Sequence, residues 1–260
     1  MLCDGRITIG FSSHRVEVLP FAEKEMSLHE LIILEEPESE GFEAMLAGRL
    51  SLDDYLLQLD SAFPEFESRL CHILRKLHRR GCRIIQVEPY LDTLLHIHEL
   101  FAEGKTKEDV LQQAELREVY LAEREATAAL ISYYTSSLRA SFAQVVAGVK
   151  KFAQADARRL ELRQRLRARS IASELSIRHS TYVEAGYIHY PLYRYLRSEL
   201  GQRTKVKVVF LLTPVIKKLQ GKRRNLGPGD LLTLHYVFGK GLTQAQESLL
   251  AARSLIYIKL

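Results

Sequence analysis

Four residues able to bind a metal ion or move a proton, His14, Glu35, Glu88 and His189, each follow a short apolar run. The runs are Arg6–Gly10 (RITIG), Leu31–Leu34 (LIIL), Arg83–Val87 (RIIQV) and Thr181–Ala185 (TYVEA). As parallel strands of one sheet they would end on a common edge, where open α/β sheets bind ligands. Two imidazoles and one or two carboxylates there suit a divalent transition metal with an open position for an activated water. A metal-free version would use a histidine as general base and a glutamate to orient it or share its proton. The sequence leaves both versions open.

Other residues near these strand ends have lesser parts. Ser12 and Ser13 adjoin His14, but no G-x-S-x-G elbow surrounds them, so they are expected to position substrate rather than attack it. Tyrosines 182, 187, 190, 193 and 195 crowd around His189. Most read as core packing, with Tyr187 or Tyr190 placed to hydrogen-bond a substrate or ligate haem iron. His96 and His98 are two apart on a helical stretch and point to different faces, and His72 and His78, six apart, read as surface.

The elements that must position these groups alternate. Strand-like runs at Arg6–Gly10, Leu31–Leu34, Arg83–Val87, Thr181–Ala185 and Lys205–Leu212 are separated by stretches of helical spacing. LIIL is apolar throughout, as expected of a strand buried on both faces. Helices are expected over Val16–Met26, Gly41–Gly48, Leu52–Leu59, Pro64–Arg80, Tyr90–Ala102, Pro191–Leu200, Leu231–Phe238 and Thr243–Arg253, and a last strand over Leu255–Ile258. From Lys107 to about Leu175 helical periodicity continues with no proline and Gly148 as the single glycine. Two or three helices are expected there, breaking near Ser132–Ser137 and Gly148. This predicts one α/β domain over residues 1–260, with a mostly parallel sheet flanked by helices and a helical excursion over 103–176.

The totals narrow the function classes. An apolar fraction of 47% and a charged fraction of 27% are those of a globular protein. A net charge of +5 with one short basic run, Lys217–Arg224, is too diffuse for a nucleic-acid face, so no nucleic-acid partner is expected. Three cysteines without CxxC spacing fit a reducing compartment, and Met1–Gly10 lacks a leader pattern, so a cytoplasmic location is expected. No apolar run approaches the ~20 residues of a membrane span, and no membrane partner is expected. An apolar stripe left uncovered on the helical excursion would predict a homodimer.

The order of motifs resembles the superfamily of erythromycin esterases, haem-binding lipoproteins, pheromone-shutdown proteins and Wnt-inactivating metalloproteases, the EreA/ChaN/TraB/Tiki group. Gly186-Tyr187-Ile188-His189 is similar to its second GxxH, and Glu35, or Glu36 one residue on, to its strand-end glutamate. Arg167–Ala172 (RARSIA) is similar to its R-x-x-x-[MI]-A motif, which implies that Arg167 reaches the site. The first motif departs from the pattern: Gly10-Phe11-Ser12-Ser13-His14 is one residue longer and lacks the acidic residue of the esterase members. Strand ends and resemblance together predict hydrolysis of an ester or amide in a small molecule or peptide. His14, Glu35 and His189 would hold manganese, cobalt or zinc, and Glu88 would be a further ligand or the base for the attacking water. Arg167 would stabilise the oxyanion. The haem-binding branch implies the alternative, a ligand-binding or regulatory protein without turnover.

Overall fold

The computed structural model describes residues 6–59, 62–175, 180–201, 204–219, 226–239 and 241–256. Strands β1 (Arg6–Ser12), β2 (Leu31–Leu34), β3 (Arg83–Gln86), β4 (Thr181–Gly186) and β5 (Lys205–Phe210) form one sheet in the order β3-β2-β4-β1-β5. Every neighbouring pair is parallel. The expected α/β architecture is present, and the five expected strands lie within one or two residues of their sequence bounds.

The connections are helical. A single 3-10 turn and α1 (Leu19–Met26) lead from β1 to β2; α2 (Phe42–Leu46), α3 (Leu52–Gln58) and α4 (Pro64–Arg79) lead on to β3. The long excursion to β4 holds α5 (Pro89–Ala102), α6 (Lys107–Gln112), α7 (Ala114–Ser137) and α8 (Phe142–Glu174). After β4 come α9 (Leu192–Leu200), then β5, α10 (Thr213–Leu219), α11 (Pro228–Phe238) and α12 (Gln244–Ile256). No described helix is long and apolar enough to cross a membrane.

Sequence and structure differ in three places. Gly148 does not break the excursion: it lies inside α8, and the turn falls at residues 138–141, just beyond Ser132–Ser137. A glycine inside a helix costs about 1 kcal/mol and need not end it; a Cβ here would meet Tyr133 at an ordinary contact of 3.6–3.8 Å. Thr213-Pro214 opens a helix instead of ending a strand, proline being tolerated in a first turn. Leu255 and Ile256 are helical, not strand. The rest of the expected Leu255–Ile258 strand, like the basic run beyond Leu219, lies outside the described residues.

Contacts divide the chain into two compact units: Met1–Pro89 with Arg167–Arg223, and Tyr90–Leu166 with Arg224–Leu260. The first holds the whole sheet. One sheet face contributes Ile32, Leu34, Ile84, Tyr182 and Leu211 to a core closed by α1 and α4 through Ala22, Met26, Phe66, Leu70 and Leu74. The α4 residues recur every four positions on one stripe, as burial of a helix face requires. In the second unit α7 and α8 run antiparallel: Glu123 pairs with Arg159 at 2.9 Å, Val119 and Leu162 share a core, and Tyr133 covers Gly148.

Gly10 lies beside Glu184 in the β1–β4 ladder, and a Cβ there would stand 2.1 Å from the hydroxyl oxygen of fully buried Tyr182. Only a residue without a side chain leaves this ring its place. Gly10→Ala is expected to lower stability by about 2 kcal/mol through overpacking. A lower urea midpoint at unchanged slope would register it; an unchanged midpoint would show that the ring moves aside freely.

Candidate functional site

From β2 the chain turns toward β3, and from its neighbour β4 it turns the other way toward β5. Such a reversal between adjacent strands opens a crevice at their carboxyl ends. Glu35 follows β2 directly, and Gly186 ends β4 directly before the 3-10 turn Tyr187–His189. Both lie in the first unit.

Glu35 bridges the crevice. Its Oε2 accepts a hydrogen bond from the Gly186 N–H at 2.6 Å, and its Oε1 lies 3.2 Å from His189 Nε2. A Cβ on Gly186 would stand 3.3 Å from the His189 ring and 3.6 Å from Glu35 Oε2, so the bare glycine lets the pair close over the backbone. His189 is buried, with the imidazole fixed by this short turn.

Arg167, near the end of α8, is fully buried and faces three strand ends at once. Its Nε donates to the Val87 carbonyl at 3.0 Å and lies 3.7 Å from Glu88 Oε2, beyond β3. Its Nη2 donates to the Glu184 carbonyl of β4 at 2.8 Å, and its Nη1 stands 3.2 Å from Glu35 Oε1, beyond β2. A forked guanidinium can serve several acceptors in one plane where an ammonium cannot. These contacts point into the protein, so Arg167 positions the site rather than meeting a developing oxyanion. Glu88 is fully buried at the guanidinium's far side and partners Arg167.

The question of register between Glu35 and Glu36 is answered by their partners. Glu36 turns away and accepts from Gln86 Nε2 at 2.9 Å, in a network with Ser39 and Tyr55, and burial pushes its carboxyl up. His14 also leaves the constellation: exposed, it stacks on Phe63 at 4.8 Å and meets Phe66 of α4 edge-on at 5.3 Å. Ser12 is buried and donates to the Ser13 carbonyl at 3.3 Å, in register with Gly186. Tyr187 stacks on Phe210, and its hydroxyl accepts from the Leu212 N–H at 2.9 Å, which engages the oxygen expected to meet substrate or haem iron. Burial pushes its pKa up to about 12.

The sequence reading did not single out Glu184. It projects from the same sheet face as Gly10 and Tyr182, and its carboxyl is pushed up to about 8, first by burial, then by the carboxylates of Glu36 and Glu35. Arg167 and the Glu35 N–H oppose the shift. It therefore carries a proton near neutrality. The available signal was a charged residue inside the apolar run TYVEA, two positions before Gly186.

A divalent cation does not fit these residues. Among the described residues no group of three or more His, Cys, Asp or Glu is arranged to hold one. Beside the pair Glu35–His189 stands the permanently charged guanidinium of Arg167. The arrangement instead places an imidazole 3.2 Å from a carboxylate oxygen and, on β4 before the same turn, a carboxyl whose pKa is raised to about 8.

The chain is 30% identical over 250 residues to an uncharacterized protein of Archaeoglobus fulgidus, a match that covers 96% of this chain and 82% of the relative. It belongs to that protein's family. No protein-family model matches the chain, and no solved structure matches it significantly.

Proposed function

We propose that the crevice between β2 and β4 hydrolyses an ester or amide bond of a small molecule or peptide without a metal ion. The observation that carries this reading is the short contact of Glu35 Oε1 with His189 Nε2, in a carboxylate fixed on both sides by Gly186 and Arg167. His189 takes a proton from water, and the hydroxide oxygen bonds to the carbonyl carbon. Glu35 orients the ring and faces the imidazolium that forms. As the tetrahedral intermediate collapses, the bond to the leaving group breaks, and Glu184 hands that group its proton. The resemblance of Glu35, Arg167–Ala172 and Gly186–His189 to the EreA/ChaN/TraB/Tiki motifs supports the same reaction class. Free thiols at Cys71 and Cys82 support a cytoplasmic setting.

The test is a panel of activated esters and chromogenic peptides, with elemental analysis of protein purified without chelators. His189→Ala is expected to lower the rate by about 100-fold or more while the wild type hydrolyses without stoichiometric metal. Equal rates in both proteins would end this reading. Stoichiometric manganese, cobalt or zinc, lost in His189→Ala, would restore the metal-assisted mechanism expected from the sequence.

A further inference from the structure

The turn between α7 and α8 carries an uncovered apolar stripe. Ile131, Tyr134 and Leu138 follow one another at spacings of three and four, so they share a helix face, and Phe142 opens α8 beside them. They are 57%, 61%, 88% and 68% exposed, values that set them apart from the buried Leu116, Val119, Ala126 and Ala129 of the same hairpin. From Ala126 to Val149 the chain has one charged residue, Arg139, in a protein that is 27% charged. That single charge is positive and sits in the turn itself.

Three hydroxyls around the stripe bond their own backbone. Thr135 Oγ1 donates to the Ile131 carbonyl at 2.9 Å, Ser136 Oγ to Tyr133 at 3.1 Å, and Ser137 Oγ to Tyr134 at 2.7 Å. Ser141 and Gln144 close a reciprocal cap at the start of α8. Polar groups that bond their own backbone can leave water at small cost. A solvent-facing helix end ordinarily has charges where these residues stand.

Against the expectation of no membrane partner, which rested on the lack of a spanning run, we infer that this turn docks on an anionic lipid surface, with Ile131, Tyr134, Leu138 and Phe142 entering the acyl boundary and Arg139 meeting the headgroups. Two features favour lipid over a second copy of the chain. The stripe offers on the order of 500 Å² per copy, whereas stable dimers bury about 800 Å² per partner. A symmetric pairing of tips would also bring two Arg139 side chains together with no carboxylate from Ala126 to Val149 to separate them. An interfacial helix end needs an apolar face, an aromatic residue at headgroup depth and a cation for anionic lipid, and all three are present. The hairpin lies on the surface and does not cross it.

Flotation of the full chain with vesicles of phosphatidylcholine, alone or mixed with phosphatidylglycerol, tests the inference. The wild type is expected to float with the phosphatidylglycerol vesicles. Leu138→Ser combined with Phe142→Ser, both exposed and checked by circular dichroism for an intact fold, should weaken partitioning about tenfold or more. Arg139→Gln should remove the preference for anionic lipid. No flotation with either vesicle, or equal flotation of the double variant, would overturn the inference. So would a concentration-dependent dimer, or retention on polyglutamate, that the double variant abolishes without any vesicle binding. The first would assign the stripe to a second copy and the second to an acidic protein surface.

Discussion

Arg167→Ala is expected to destabilise the sheet-bearing unit by about 3–5 kcal/mol, the typical cost of breaking a buried ion pair by removing one partner. The loss exceeds that of an ordinary arginine because the guanidinium serves Val87, Glu88, Glu184 and Glu35 together. Its removal takes the guanidinium away from both fully buried Glu88 and nearly buried Glu35. Arg167→Lys should recover little, since an ammonium cannot reproduce the fork. Arg167→Met combined with Glu35→Gln and Glu88→Gln should recover much of the loss, because the carboxylates that the guanidinium faced are then neutral as well. Urea unfolding of the four proteins decides the matter. A cost under about 1 kcal/mol for Arg167→Ala would show that water enters and solvates the carboxylates.

Glu184 should impose a pH dependence on stability. Its carboxyl titrates near 8 in the folded chain against 4.5 in the unfolded one. Between those values the folded state holds the extra proton, so stability falls as pH rises. The contribution is intact below about pH 4.5, is lost progressively up to about 8, and is flat beyond. At about 1.4 kcal/mol per pH unit the span corresponds to nearly 5 kcal/mol; Glu184 is partly exposed, so about 2–3 kcal/mol is expected after solvent screening. Glu184→Gln should abolish this slope and be the more stable protein above pH 8. Under the proposed mechanism the rate should also decline above pH 8 in the wild type, as the acid that protonates the leaving group ionises. Melting temperatures at a series of pH values test the first point, and a slope that survives in Glu184→Gln would assign the titration to another group.

The parts of the site that could be read from the sequence were local. LIIL ending in Glu35, and Gly186 followed three residues later by His189, carry their geometry in a few consecutive residues. Arg167 was reached through its motif, but its role was not, because its partners lie at the ends of three strands, from Glu184, 17 residues on, to Glu35, 132 residues back. His14 misled because its ring packs on Phe63 and Phe66, about 50 residues later in the chain, which its place after a strand did not reveal. Glu184 stayed hidden because a glutamate in a strand reads as a solvent-facing position, and its pKa is raised first by burial and then by Glu36 and Glu35, about 150 residues earlier. The continuous α8 was misread at Gly148 because a lone glycine costs a helix only about 1 kcal/mol and need not end it.

The strand order also governs the timing of assembly. Strands β2 and β3 are neighbours joined by a local crossover and can pair soon after they are synthesised. Strand β1 cannot: Ile7 pairs with Thr181 on one side and Val206 on the other. The earliest of the five strands to be synthesised therefore waits until β4 has followed it before it has either partner. Throughout that interval its run Ile7–Phe11, wholly buried in the finished protein, is bare strand edge on a nascent chain. Of the five strands, β1 has the longest need of a chaperone.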